Sequence, residues 1–205
     1  MKLFFDTEFT GLHKNTTLIS IGIVSEDERK FYAEFTDYDH SQITPWIKEN
    51  VINYLRFPLP NPGEDYYYVA SRSEHNPIGN DLFSEWSLEM NGTKEMISKS
   101  LNHWLSQFDE IQFVSDVCHY DFVLMIDLIT NGGTALDLPE NISPVCHDVN
   151  QDIAEYYGLI DSEAFDENRE EIMEEHAWNR DDIVDGIKHN SLYDAEVIRA
   201  IWKAI

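Results

Sequence analysis

The chain has 205 residues, 42% of them hydrophobic and 13% aromatic, which is enough apolar material for one folded domain over residues 1-205 and excludes a disordered polyanion. Its formal charge of −25, from 14 basic against 39 acidic residues, argues against a protein that grips long nucleic acid through many Lys and Arg contacts to phosphate. No run approaches the roughly 18 apolar residues of a membrane span, the early Asp6 leaves no apolar signal-peptide region, and Cys118 and Cys146 build no disulfide framework, so a soluble protein with no membrane partner and a cytoplasmic location is expected.

Lys2 to Phe5 is a short apolar run that reads as a buried strand ending at Asp6. The β-branched stretch Thr16 to Ser25 predicts a second strand, and Arg29 to Phe35 a third; Asp27-Glu28 between them suits a tight turn. The three together predict an antiparallel meander. Pro45 opens a helix through Val51, Ile52 and Leu55, with Thr44 as its N-cap. Arg56 to Asn80, rich in Pro, Gly, Asn and Tyr, reads as a loop insertion (56-80), with Tyr66-Tyr67-Tyr68 either an aromatic anchor or a base-stacking platform.

Thr93 caps a helix reaching Phe108, with Met96, Ile97, Leu101, Trp104 and Leu105 at helical spacing. Ile111 to Ser115 predicts a strand, Tyr120 to Ile129 a helix closed by Asn131-Gly132-Gly133, and Ile142 to Val145 another strand. Asp148 to Tyr157, stopped by Gly158, and Ser191 to Ala204 are the last two helices. A meander followed by alternating helices and strands is an α/β pattern with a mixed sheet. Asp161 to Asp185 carries eleven acids against Arg169 and Arg180 and reads as an acidic elaboration (161-185), a solvated helix face or loop. Cys118-His119 and Cys146-His147 invite a zinc reading, but neither offers the close Cys or His pair of structural zinc motifs, and buried thiols are the expectation.

Asp6 and Glu8 stand at i and i+2 at a strand end, so both project to one side, and two such carboxylates suit a hard cation with oxygen ligands. His189 precedes the last helix and Asp194 falls in its first turn, so both can face one cleft, with the helix N-terminus keeping Asp194 ionised. Asp121 shares a helical face with Leu124, Met125 and Leu128, where an acid is costly unless paired or metal-bound. Asp116, at a strand end, is the rival for the same role.

Asp6-Thr7-Glu8-Phe9-Thr10-Gly11-Leu12 resembles the first motif of the DEDD superfamily of 3′–5′ exonucleases, in which Phe9 stands where the usual form has Thr. Tyr120-Asp121 is similar to the Phe-Asp of the second motif, preceded by Asp116-Val117 where many relatives carry His-Asn. His189, five residues before Asp194, is similar to the third motif of the histidine-bearing subgroup. Leu18-Ile19-Ser20-Ile21-Gly22, Trp46-Ile47 and the Leu-Tyr-Asp-Ala ending resemble the small bacterial branch of 3′–5′ exoribonucleases first described from mycobacteria.

The resemblance implies a ribonuclease H-like fold and hydrolysis of the terminal phosphodiester at a 3′ end. Asp6, Glu8, Asp121 and Asp194 would hold two Mg²⁺ or Mn²⁺ ions, and His189 would be the general base. Phe9 or Leu12 would wedge against the terminal base, and the backbone at Thr7 or Glu8 would read the 3′-hydroxyl. RNA is expected over DNA as the partner, and a homodimer is common among such relatives. Two readings compete: a DNA exonuclease of the same fold, and a non-catalytic acidic protein that mimics nucleic acid.

Overall fold

The computed structural model describes residues 1–58, 69–71, 87–177 and 183–205. Tyr66 to Tyr68 and most of the 56-80 segment lie outside these, so the anchor and platform readings are not addressed. The meander is present: β1 (Lys2–Phe9) pairs antiparallel with β2 (Leu18–Ser25), and β2 with β3 (Lys30–Phe35). β1 runs four residues beyond the strand expected from sequence, because Asp6 and Glu8 take positions on a fully paired strand. The turn between β2 and β3 closes with the Glu28 N–H donating to the Ser25 carbonyl, Glu28 being left-handed at φ 73°.

Helix α1 (Pro45–Asn50) is capped as anticipated by the Thr44 side chain, which accepts from the Ile47 N–H; a separate 3₁₀ turn follows at Ile52–Tyr54. Two strands escaped the sequence reading, β4 (Val69–Ser71) and β5 (Ser87–Gly92). Leu88 and Met90 alternate with Glu89 in β5, but the segment lacks β-branched residues, so its pattern is weak. α2 (Lys94–Leu105) carries the expected Thr93 cap, and β6 (Gln112–Ser115) and α3 (His119–Thr130) follow in turn.

Ile142 to Val145 is not a strand. Pro144 cannot donate to a ladder, and only Ile142 forms a bridge, to Ile111. The pairing resumes at β7 (His147–Asp148), and α4 (Val149–Tyr157) ends on left-handed Gly158. The acidic stretch folds into α5 (Asp161–Asp166) and α6 (Arg169–His176), which bury Ala164, Ile172 and Met173 and leave most of their acids in solvent. α7 (Ser191–Ala204) closes the fold.

The sheet has the order β4-β5-β3-β2-β1-β6-β7, with β3–β5, β1–β6 and β6–β7 parallel and the other pairs antiparallel. Both faces are covered. Leu3, Phe5, Ile21 and Phe113 pack with α2 and α3 on one side; Phe4, Val24 and Val114 pack with α4, α6 and α7 on the other. Consecutive residues of β1 therefore enter opposite cores, which is why Leu3-Phe4-Phe5 is apolar without a break. No helix among the described residues is long and apolar enough to cross a membrane.

Candidate active site

Period-two alternation carries the Phe4 face of β1 outward through Asp6 and Glu8, toward α7. Across the sheet, Asp6 stands opposite Gly22 and Glu8 opposite Ser20. A β-carbon on Gly22 would lie 2.2 Å from the Leu192 nitrogen and 2.3 Å from the Ser191 carbonyl carbon, so only glycine lets the first turn of α7 rest on β2 at this point. The Ser20 and Ser191 hydroxyls, both buried, meet at 3.0 Å and fix the same contact. The glycine inside the β-branched run Ile21-Gly22-Ile23 was a legible sign of close backbone approach, although the sequence reading used it only as part of a resemblance.

Seated there, α7 brings Asp194 to the two β1 acids. Asn190 caps the helix through the Tyr193 N–H, and the nearby His189 backbone amide acts to lower the Asp194 carboxyl against its burial. His189 occupies the left-handed region at φ 66°, its Nδ1 3.8 Å from the Glu8 carboxylate and its ring edge-on to Trp46 at 5.1 Å. Glu8, His189 and Asp194 offer ligand atoms that all lie within 4.8 Å of one another. Sequence reasoning assigned Trp46 no role, and a half-exposed Trp directly after the helix-opening Pro45 was the available signal.

The structure gives Asp121 and Asp116 different partners. Asp121 lies in the first turn of α3, where its Oδ1 accepts from the Thr7 N–H at 3.1 Å and the Thr7 hydroxyl at 2.6 Å. Asp116 is instead gripped by Arg169, at 2.7 Å and 2.9 Å, and the same guanidinium reaches Asn150 and the Ala164 carbonyl. Thr7, expected to read substrate, is buried and gives both of its donors to Asp121. Phe9 stacks on Tyr120 at 5.9 Å, and Leu12 is 74% exposed at the rim.

A cleft of about 730 Å³ opens over these residues, lined by Asp6, Glu8, Phe9, Leu12, Trp46, Asp121 and His189, with no Lys or Arg among its described lining residues. Electrostatics follow from that composition. Burial, then Asp194, Asp121 and Glu8, push the Asp6 carboxyl well above its ordinary range. Burial, then Asp194 and Asp121, do the same to Glu8. Burial raises Asp121 against the lowering effect of its Thr7 hydrogen bonds, and raises Asp194 to about 7. Burial, followed by Lys188, lowers the His189 imidazole. Four carboxyls thus gather in one place, and Asp6 and Glu8 are held above their ordinary range by Asp194 and Asp121 as well as by burial.

The two Cys-His dipeptides do not gather such a site. Cys118 and Cys146 are half-buried thiols, that of Cys146 donating to the His147 carbonyl at 3.5 Å, and burial raises both. Among the described residues, the group of three or more potential ligands is Glu8, His189 and Asp194.

No family model matches the chain. It is 32% identical over 111 residues to two proteins named 3′–5′ exoribonuclease from Mycobacterium tuberculosis, one of strain CDC 1551 / Oshkosh and one of strain H37Rv. The matched stretch is 54% of this chain and 58% of each relative, so the chain spans little more than half their length. A chain from the structure of the yeast NOT1 MIF4G domain co-crystallized with CAF1 superposes with a TM-score of 0.45 and 12% identity, over 98% of this chain and 79% of that one, a likeness too distant to assign a fold.

Proposed function

We propose that this chain is a metal-dependent 3′–5′ exonuclease acting on RNA, built on a ribonuclease H-like sheet, that removes the terminal nucleotide as a 5′-monophosphate. The observation that carries the reading is the convergence of Asp6, Glu8, Asp121 and Asp194 beside His189, from three separate stretches of chain. The β3-β2-β1-β6-β7 portion of the sheet, an antiparallel meander followed by parallel strands, supports the fold assignment. The similarity to mycobacterial proteins named exoribonucleases supports RNA as substrate.

The donor set fits a hard divalent cation: all four acids are oxygen donors, and their raised pKa values are what an added positive charge relieves. When bound, two Mg²⁺ or Mn²⁺ ions supply Lewis acidity and charge neutralisation toward the scissile phosphate. Such help is required, because the described lining of the cleft offers a phosphate no Lys or Arg. Asp6, Glu8, Asp121 and Asp194 would hold the ions, with Thr7 orienting Asp121. His189, whose imidazole burial holds below its ordinary range, accepts the proton of the attacking water on a ring nitrogen as the water oxygen bonds to phosphorus and the bond to the 3′-oxygen breaks, the leaving oxygen taking a proton from solvent. Phe9 and Leu12, at the mouth of the cleft, would contact the terminal base. The charge of −25 favours short or single-stranded ends over long duplex.

The test is a panel of 5′-labelled RNA, DNA and dinucleotide incubated with Mn²⁺ or with EDTA. Stepwise 3′ shortening of RNA with Mn²⁺, absent in EDTA and in Asp121→Asn, is expected. Preferential shortening of DNA would replace RNA with DNA as the substrate. No cleavage of any substrate, together with no saturable Mn²⁺ stabilisation on thermal melting, would leave a non-catalytic acidic protein.

A further inference from the structure

The same sheet face that carries Asp6 and Glu8 carries a second polar group, two strands away. Gly22 pairs with Asp6 on one side and Tyr32 on the other; Ser20 pairs likewise with Glu8 and Glu34. The small side chains on β2 form a trough in which the first turn of α7 lies, with the β1 acids on one bank and Tyr32 and Glu34 on the other. Tyr32 and Glu34 are fully or nearly fully buried. The Tyr32 hydroxyl donates to Glu34 at 2.6 Å, and the backbone N–H groups of Arg56 and Phe57 donate to the two oxygens of the same carboxylate, at 2.5 and 3.1 Å.

Asn190 joins this group to the helix. Its side-chain amide donates to the Tyr32 hydroxyl at 3.4 Å, while its oxygen accepts from Arg56 Nη2 at 3.3 Å and from the Tyr193 N–H at 3.3 Å. The Arg56 guanidinium lies 4.5 Å over the Tyr32 ring and also bonds Glu89. Asn190 immediately follows His189, whose left-handed backbone costs energy unless its neighbours hold it.

We infer that Tyr32, Glu34, Arg56 and Asn190 are positioning residues for His189: they clamp the start of α7 from the side opposite the acid cluster and so fix the direction in which the imidazole faces Glu8. The catalytic consequence rests on the proposed role of His189 as the base. The network also makes Arg56, the first residue of the 56-80 segment, part of the apparatus that holds the site.

Tyr32→Phe removes one hydroxyl, and Arg56→Lys keeps the charge while losing the fork. Each should lower kcat about tenfold with KM changed by less than about twofold, a partial version of the loss that a misplacement of roughly 1 Å produces. Made in a His189→Ala background, the same substitutions should cause no further loss, because the residue they position is gone. In both variants the ring resonance of His189 should move as its edge contact with Trp46 loosens. Losses that multiply with His189→Ala, or an unmoved His189 resonance in a folded variant, would overturn the inference. Should Tyr32→Phe fail to fold, the half-exposed Arg56→Lys decides it. A wild-type chain that hydrolyses nothing would refute the functional reading instead, and the resonance alone would then decide whether the network positions His189.

Discussion

Replacing Gly22 with alanine adds one methyl group to the face of β2 on which α7 rests. That carbon would stand 2.2 Å from the Leu192 backbone nitrogen, whereas ordinary contact begins at 3.4 Å, so the start of the helix must retreat by about 1.2 Å. Backbone cannot rotate away as a side chain can. Overpacking of this kind costs about 1–3 kcal/mol, a fall in Tm of about 5 °C for a chain of this size. The functional loss should be larger than the stability loss suggests, because His189 and Asp194 ride on the displaced segment and a shift of roughly 1 Å costs about 100-fold in rate. Circular-dichroism melting measures the first effect, and single-turnover hydrolysis of labelled RNA with Mn²⁺ the second. Gly92→Ala is the control: its new carbon would meet the flexible Met96 side chain at 3.4 Å and should change neither. A Gly22→Ala protein that melts within about 1 °C of wild type and retains its Mn²⁺ response would refute the account of how the site is assembled.

The acid cluster predicts an unusual pH dependence in metal-free protein. Asp194 is raised from 3.8 to about 7, so the folded state binds its proton more tightly than the unfolded chain, and stability should fall as pH rises from about 4 to 7, by an amount on the order of 4 kcal/mol. Melting in EDTA across that range should show the decline, Mn²⁺ should reverse it, and Asp194→Asn should lessen it; a flat wild-type profile would contradict the burial of these acids. Thr7→Val keeps the backbone donor to Asp121 and removes the hydroxyl, so hydrolysis should drop about tenfold and Tm should fall by about 5 °C, one neutral-to-charged hydrogen bond being worth about 1.5 kcal/mol or more. Arg169→Ala strips Asp116 of both its bonds and leaves a part-buried acid unpaired, which should lower Tm by about 5 °C. Unchanged melting of that variant would mean Asp116 is solvated and again available to the site.

What could be read from the chain alone was whatever depends on near neighbours. The caps Thr44 and Thr93 and the stop at Gly158 are hydrogen-bond and backbone preferences expressed within a few residues. The meander follows from β-branched runs joined by a tight turn, and the shared face of Asp6 and Glu8 from strand periodicity. Two readings failed or were missing for different reasons. β5 is stabilised by parallel pairing to β3 across more than fifty residues, which no local pattern shows, whereas Ile142 to Val145 was refused a full strand by its own Pro144.

The site itself divides the same way. Residue types and spacing nominated Asp6, Glu8, Asp121, His189 and Asp194, with Asp116 as the rival to Asp121. Arg169, fifty-three residues beyond Asp116, occupies that acid, and Thr7, one hundred and fourteen residues before Asp121, orients the other. Likewise the approach of α7 to β2 at Gly22 has no local signature beyond a glycine inside a strand, since what makes it necessary is a helix from the far end of the chain. Local chemistry determined the elements and the candidate acids. Only the packing of distant segments, where burial makes each charge and each added methyl group costly, decided which acids meet, what holds them and which way His189 faces.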